Sequence, residues 1–402
     1  MLSEAGKPIY TLCGDEDNDQ TVALCGVMQA LVSYVADNED SIRSIRMADT
    51  AIVFLVRPPL ILVGTCRPHR LTTQQLTVQL TYIYNQILSI VTLNQLNKIF
   101  EQKRNYDLRK MLAGSERLIN HLSTSMDTDP AFFLSAVRCL PLSPSVRDVV
   151  SESIIRYCGG KKGKKVVFSV VMARNQLITL VRMKNHFIHP ADLHLIFNLV
   201  NATESFKDSE SWTPICLPKF ESSGFLHAHV SYISEDICLV LLSVDRNAFF
   251  ELSEARVKIL ERLERHNIIN AIKTSLDTSE YDCESLDLPE IRYFLYKSRT
   301  SAQFTSPVPA LCYRSNPQQI SRLHSRFLTI QNRFLVASRP VKLCYFSTSN
   351  ETILGWITQS FELFAVLPPT MAKITVLTAV NKLLRWVKKE EERFFILTAP
   401  TF

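Results

Sequence analysis

The chain reads as an α+β protein of three tandem units, each a five-stranded antiparallel sheet flanked by helices. The order β-β-α-β-β-β-α recurs with a period of about 130 residues, the mark of an internal structural repeat. The predicted strands are short apolar runs and the predicted helices carry apolar residues at i, i+3, i+4 and i+7. Apolar residues make up 46% of the 402 and charged residues 21%, a balance that fills several cores and argues against extended disorder. Strand-rich units with flanking helices fit α+β better than a doubly wound parallel fold.

In the first unit, residues 1–126, Met1 to Ser3 stand for a first strand inside which the sequence is expected to begin. Glu4 to Lys7 form a turn and Pro8 to Cys13 a strand. A helix over Gln20–Ala36 is expected to be apolar at Leu24, Val27, Met28, Leu31 and Val35. Strands follow at Ile42–Met47, Ala51–Val56 and Leu60–Cys66, then a helix at Thr73–Val91 and an extra helical stretch, Leu93–His121. A linker falls near Asp127–Pro130.

The second unit, 127–280, is the clearest. Val166–Ala173 and Gln176–Arg182 form a hairpin turning at Asn175. Pro190 suits the first turn of a helix whose apolar face is Leu193, Ile196, Phe197 and Val200. Strands Trp212–Leu217, His227–Ile233 and Ile237–Ser243 precede a helix from Asn247 to Arg265, with Glu254–Lys258 and Glu261–Arg265 as i,i+4 pairs.

A second linker lies near Asp277–Pro289. The third unit, 281–402, has strands at Ile291–Tyr296 and Ala310–Tyr313 and a helix over Gln318–Ala337. Strands follow at Val341–Phe346, Thr352–Ile357 and Glu362–Val366. A helix from Thr370 is expected to turn Ile374, Leu377, Leu384 and Val387 inward, before a last strand at Arg393–Leu397.

The net charge of +6 is mild and its Lys and Arg are scattered, unlike the concentrated stripe of a nucleic-acid binder, so no nucleic-acid partner is expected. No stretch has a signal peptide's basic and apolar regions, and no run of 18 apolar residues exists. The ten cysteines include no C-x-x-C pair and most lie in apolar runs, so they read as reduced core thiols of a cytoplasmic protein.

Motifs for chemistry fail in turn. Gly159–Lys165 is rich in Gly and Lys, but its spacing is not that of a phosphate loop and it precedes a strand. Asp15–Asp19 begins like a calcium loop, yet Gln20 and Gly26 stand where Gly and Glu are required. His186, His189 and His194 cluster, and His227 and His229 share a strand face, without cysteines at zinc-site spacing. No metal, cofactor or covalent catalytic constellation is expected, and the residues alone indicate a protein that works by binding.

Several segments resemble the Mon-one family of vacuolar fusion proteins: Leu2–Tyr10, Asn105–Arg117, His189–Asn198, Trp212–Phe220, His227–Tyr232 and Leu384–Thr398. The matches span essentially the whole chain. The resemblance implies three tandem longin domains, whose element order agrees with the repeat above. The family's polar N-terminal extension has no counterpart here.

The resemblance also implies guanine-nucleotide exchange without covalent chemistry. The chain would form a heterodimer with a Ccz-type longin protein, act on a late-endosomal Rab-seven-type GTPase, and bind phosphoinositide-containing endosomal membrane peripherally. Such a subunit is cytoplasmic and recruited to late endosome, lysosome or vacuole. GTPase- or partner-contact candidates are polar positions of the helix Gln20–Ala36 with Arg104, Asn105, Asp107, Arg109, Ser115, Glu116 and Arg117, a charged, compact set unlike a core stripe. The competing reading of that set is an ion-pair network within the domain. Membrane-contact candidates are Lys161, Lys162, Lys164, Lys165, Arg182 and Lys184, with Arg385, Lys388 and Lys389; the competing reading is a solvated surface. The alternative function is a non-catalytic longin adaptor. A SNARE-like protein would need a sustained heptad repeat, which is absent.

Overall fold

The computed structural model describes the chain except residues 13–17, 68–70, 104–105, 160–164, 279, 315–316, 336–340 and 370. Two compact units are described separately: residues 1–129 with 214–225, and residues 130–213 with 226–402.

The first unit holds β1 (Leu2–Ser3), α1 (Asp19–Asp37), β2 (Ser44–Arg46), β3 (Ala51–Arg57), β4 (Leu60–Cys66), α2 (Thr73–Ile90), α3 (Leu93–Gln102), α4 (Arg109–Leu112) and α5 (Glu116–Thr128). Its sheet runs β1-β4-β3-β2, all antiparallel. The strand expected at Pro8–Cys13 does not form over the described residues. Only an isolated bridge joins Leu2 to Pro8, although Ile9 N–H still reaches Met1 O at 2.9 Å. Proline has no N–H to continue a ladder, which confines it to strand edges and starts. A reciprocal capping box between Thr72 and Gln75 starts α2. This helix buries Leu76, Leu80 and Ile87 with Val53, Leu55, Leu60 and Leu62 of the sheet. Gly64 permits that approach, since a Cβ there would stand 3.0 Å from Leu76 Cδ1. The extra helical stretch is three helices, with Gly114 at φ +82° before the third.

The second unit contains α6 (Pro130–Leu134), β5 (Val137–Arg138) and α7 (Pro144–Cys158), then the hairpin β6 (Val166–Ala173) and β7 (Gln176–Arg182). Arg174 and Asn175 take positive φ at its turn. There follow α8 (Pro190–Asn201), β8 (Ser211–Leu217) and β9 (Glu221–Ser234), whose residues 214–217 and 221–225 are counted with the first unit, then β10 (Ile237–Ser243), α9 (Phe249–Arg265) and α10 (Ile268–Thr278). The five-stranded sheet runs β7-β6-β10-β9-β8. Every residue of β6 and β10 is buried, so both faces of the sheet are covered. Val150 and Ile154 of α7, Ile259 and Leu263 of α9 and Ile272 of α10 share one core with Val171, Ile178 and Leu239. Neither α7 nor α10 was expected from the sequence.

The remaining elements are β11 (Tyr293–Ser298), β12 (Gln303–Thr305), α11 (Leu311–Arg314), α12 (Pro317–Leu335), β13 (Leu343–Ser347), β14 (Thr352–Ile357), β15 (Phe361–Leu367), α13 (Lys373–Lys389) and α14 (Glu391–Phe394). Alternation along the strands builds two cores. Tyr293, Leu295, Ile353, Phe364 and Val366 pack with Phe327 and Ile330 of α12, while Phe294, Leu354, Leu363 and Ala365 pack with Val376, Val380 and Leu383 of α13. The sheet has six strands, β13-β14-β15-β11-β12-β5, and its last pairing is parallel.

Three expectations for this region change. The segment expected as a strand at Ala310–Tyr313 is the short helix α11, and the strand is β12. Pro307 and Pro309, which lack donors, separate the two. Arg393–Leu397 is the end of α14 followed by extended chain, and Phe394 of the helix and Phe395 after it enter the core. On α13, Ile374 and Leu377 are exposed, because the inward stripe is Val376, Val380, Leu383 and Val387.

One side chain ties the C-terminal segment to α7. Arg147 is only 6% exposed. Its guanidinium donates to Leu140 O at 2.6 Å and to Glu392 O and Arg393 O at 2.7 Å each. Gln303 works beside it, accepting from Ile396 N at 2.8 Å and donating to Ile396 O at 3.2 Å. Backbone bonds from Arg182 N to Pro400 O and from Phe402 N to Arg182 O continue the seam along β7. Arg147→Met removes the donor of Leu140 O and Glu392 O and one of the two donors of Arg393 O, which also accepts from Leu142 N, each bond worth about 1 kcal/mol or more. The expected loss of stability is about 3 kcal/mol. Tryptophan fluorescence in urea reports it, since Trp212, Trp356 and Trp386 all lie in this unit. A loss below about 1 kcal/mol contradicts the clasp.

Candidate functional site

Helix α1 carries an apolar stripe that is largely exposed. Asn18 caps it, its side chain accepting from Gln20 N at 3.0 Å. Gly6, at φ +75°, lets the turn after β1 pass close by; its added Cβ would lie 3.5 Å from Gln29 Cβ. Yet none of the 19 residues of α1 is buried. Leu24 is 56% exposed, Val27 55% and Tyr34 71%, while Met28, Leu31 and Val35 are half-buried. The apolar periodicity marks the helix, and its stripe lies largely open. Burying such a side chain contributes about 1.5–3 kcal/mol, so an open stripe of this kind is a surface suited to a partner.

The charged candidates divide. Asp107 and Arg109 meet in a fork, with Nε to Oδ1 at 3.0 Å and Nη2 to Oδ2 at 2.9 Å. That hydrogen bonding holds the Asp107 carboxyl below its ordinary range. Ser115, Glu116 and Arg117 instead stand at the start of α5, and the Ser115 hydroxyl makes no cap. Arg104 and Asn105 lie outside the described residues.

Among the basic candidates, Lys165 pairs with Asp245. Arg182 donates to His186 O at 3.0 Å and lies 4.3 Å over the Phe187 ring. Lys184, Arg385, Lys388 and Lys389 are exposed. Lys161, Lys162 and Lys164 are not among the described residues, nor are Asp15, Glu16 and Asp17 of the calcium-like stretch.

The histidines of β9 have separate surroundings. His227 stacks on Trp212 with ring centroids 5.6 Å apart. His229, fully buried, lies 2.9 Å from Glu210 through Nε2, and Glu210 is 3.7 Å from Arg256. Burial lowers the pKa of His229 despite the carboxylate, so the contact is a neutral imidazole donating to Glu210. No group of three or more His, Cys, Asp or Glu could hold a metal ion among the described residues. The described cysteines are free, and burial raises the thiols of Cys139, Cys158, Cys238 and Cys283 to about 12, which keeps them unreactive. Cys312, however, is exposed. No described helix is long and apolar enough to cross a membrane.

Family models match three stretches: the first longin domain of FUZ, MON1 and HPS1 at residues 1–122, the second at 164–261 and the third at 290–391. Protein SAND of Takifugu rubripes is 45% identical over 404 aligned positions, covering 100% of this chain and 76% of that protein. Vacuolar fusion protein MON1 homolog A of Gallus gallus is also 45% identical, with 72% of its length covered. The chain belongs to the MON1 family. A relative as distant as vacuolar fusion protein MON1 of Cryptococcus neoformans var. neoformans serotype D keeps 34% identity over the whole of this chain and 65% of its own length. The three sheets are thus the three longin domains of this family, and α1 is the first helix of the first one.

The buried histidine predicts how this family member responds to acid. In the unfolded chain His229 titrates near the ordinary value of about 6.5, and in the fold it titrates lower. As pH falls below that value the unfolded state takes up the proton first, so stability is lost toward acid. His229→Gln should flatten the dependence of unfolding free energy on pH in this window, read by Trp212 fluorescence in urea. An unchanged slope would show that other groups set it.

Proposed function

We propose that the chain acts in membrane trafficking and vacuolar fusion as one subunit of a two-chain guanine-nucleotide exchange factor. Its partner is a Ccz-type longin protein and its target a late-endosomal Rab-seven-type GTPase. The observation that carries this reading is the uncovered apolar stripe of α1, on the first longin domain of a MON1-family chain. Docking a partner there buries Leu24, Val27 and Tyr34 and creates a composite surface. The polar candidates Asp107, Arg109, Ser115, Glu116 and Arg117, with Arg104 and Asn105, would contact the GTPase or the partner.

Exchange of this kind needs no covalent step. A factor that binds the nucleotide-free GTPase better than the loaded form must, by linkage, weaken nucleotide by the same ratio. Remodelling the switch segment that holds Mg²⁺ and phosphate is the physical route. The complex is cytoplasmic and is recruited peripherally to late endosomal, lysosomal or vacuolar membrane containing phosphoinositides. Lys161, Lys162, Lys164, Lys165, Arg182 and Lys184 are offered as its basic contacts, a Lys or Arg near an anionic surface contributing about 1 kcal/mol.

The test is release of a fluorescent GDP analogue from the GTPase, with the chain alone and with its partner. Acceleration is expected only with both. Leu24→Asp combined with Val27→Asp should abolish it by preventing heterodimer formation while leaving the fold of the single chain intact, because neither side chain is buried. An intact complex that leaves release unaccelerated would overturn the exchange-factor reading in favour of a longin adaptor.

A further inference from the structure

Strand β13 ends the third sheet, paired with β14 on one side alone. Two backbone bonds fix its phase: Ile357 N donates to Lys342 O and Thr348 N to Glu351 O, each at 2.8 Å. Opposed residues of an antiparallel ladder alternate between hydrogen-bonded and non-hydrogen-bonded pairs. Residues 342, 344, 346 and 348 therefore spend their main-chain groups on β14. Leu343, Tyr345 and Ser347 aim N–H and C=O at the open edge, where no described residue meets them.

Two other strands are flanked by the chain itself. β12 is covered by β5, and β7 is bridged by Cys139 and Thr401. Proteins usually guard a bare edge with proline, a bulge or an inward charge. The register of β13 instead runs unbroken from Leu343 to Ser347. The side chains around it are apolar and basic. Leu343 is 44% exposed, and Val341 and Phe346 are 40% each. Lys373 lies 5.6 Å over the Tyr345 ring, which brings the start of α13, with Ile374 at 80% exposure, beside this edge. Lys342 and Arg333 are exposed. Glu351, just past the strand, is buried and bound by Arg326 and Tyr313, so its charge does not offset these cations.

We infer that β13 is a strand-addition site, taking an extended segment of a partner protein that has an apolar, β-branched centre and acidic flanks. Main-chain hydrogen bonds to residues 343, 345 and 347 supply the pairing, and Lys342, Lys373 and Arg333 select carboxylates. This surface is independent of α1 and of the exchange-factor reading.

The probe is a fluorescein-labelled peptide of about nine residues, valine-rich at its centre with glutamates at both ends, a length typical of strands. Added to the full chain, it should bind in fluorescence anisotropy and slow hydrogen exchange of the Leu343 and Tyr345 amides. N-methylation of alternate peptide amides, in the register that faces β13, should abolish binding to the unaltered chain. Leu343→Pro removes an outward donor without breaking a bond to β14, and Lys373→Glu reverses a flanking charge. Each should weaken binding about tenfold, equivalent to ~1.4 kcal/mol. Absence of binding, protection elsewhere in the chain, or affinity indifferent to N-methylation in either register overturns the proposal.

Discussion

A guanidinium taken out of water needs acceptors fixed in place, and that need organises the larger unit of this protein. Arg147 finds its acceptors in the carbonyls of Leu140, Glu392 and Arg393, one from the approach to α7 and two from the C-terminal segment. Burial works against its charge, so those carbonyl dipoles must stay aligned for the side chain to remain inside. Positions far apart in sequence are thereby held at one point. Gln303 and β5 extend the same seam, and β12 gains a neighbour that the third repeat does not itself supply. The second and third longin domains consequently share one compact unit.

The first longin domain follows another logic. Its sheet is packed by α2 on apolar contacts with a glycine at the closest approach, but α1 keeps its stripe in the open. A stripe of this kind is an incomplete interface rather than a core. That division of labour suits a protein that works by binding: a braced pair of domains and a first domain with apolar surface in reserve. The Asp107–Arg109 fork then fits the domain's internal structure, and Glu116 and Arg117 are exposed at the start of α5.

Much of the fold was legible because period-two and period-3.6 patterns survive wherever an element has one buried face. The hairpin Val166–Arg182 and helix α8 were readable on those grounds. α7 escaped because Arg147, Ser151 and Ser153 sit among its buried residues and interrupt the apolar period. β12 escaped because three residues are too few for a pattern, and the tail because Phe394 and Phe395 are buried without a strand. The site was less legible. Amphipathicity says that a stripe will be covered, not by which molecule. On α13 the true stripe lay two residues away from Ile374, while on α1 it faces outward. Edge exposure, which singles out β13, depends on strand order and is invisible in local sequence.

What we propose centrally is that α1 becomes covered when the chain meets the proposed Ccz-type longin partner. Hydrogen–deuterium exchange across Asp19–Asp37, with and without the Ccz-type protein, tests it most directly. The account predicts that amides of this helix, which no buried side chain anchors in the free chain, become strongly protected in the complex while those of α2 change little. A stable complex in which α1 exchanges as fast as before would contradict the account and place the partner elsewhere on the chain.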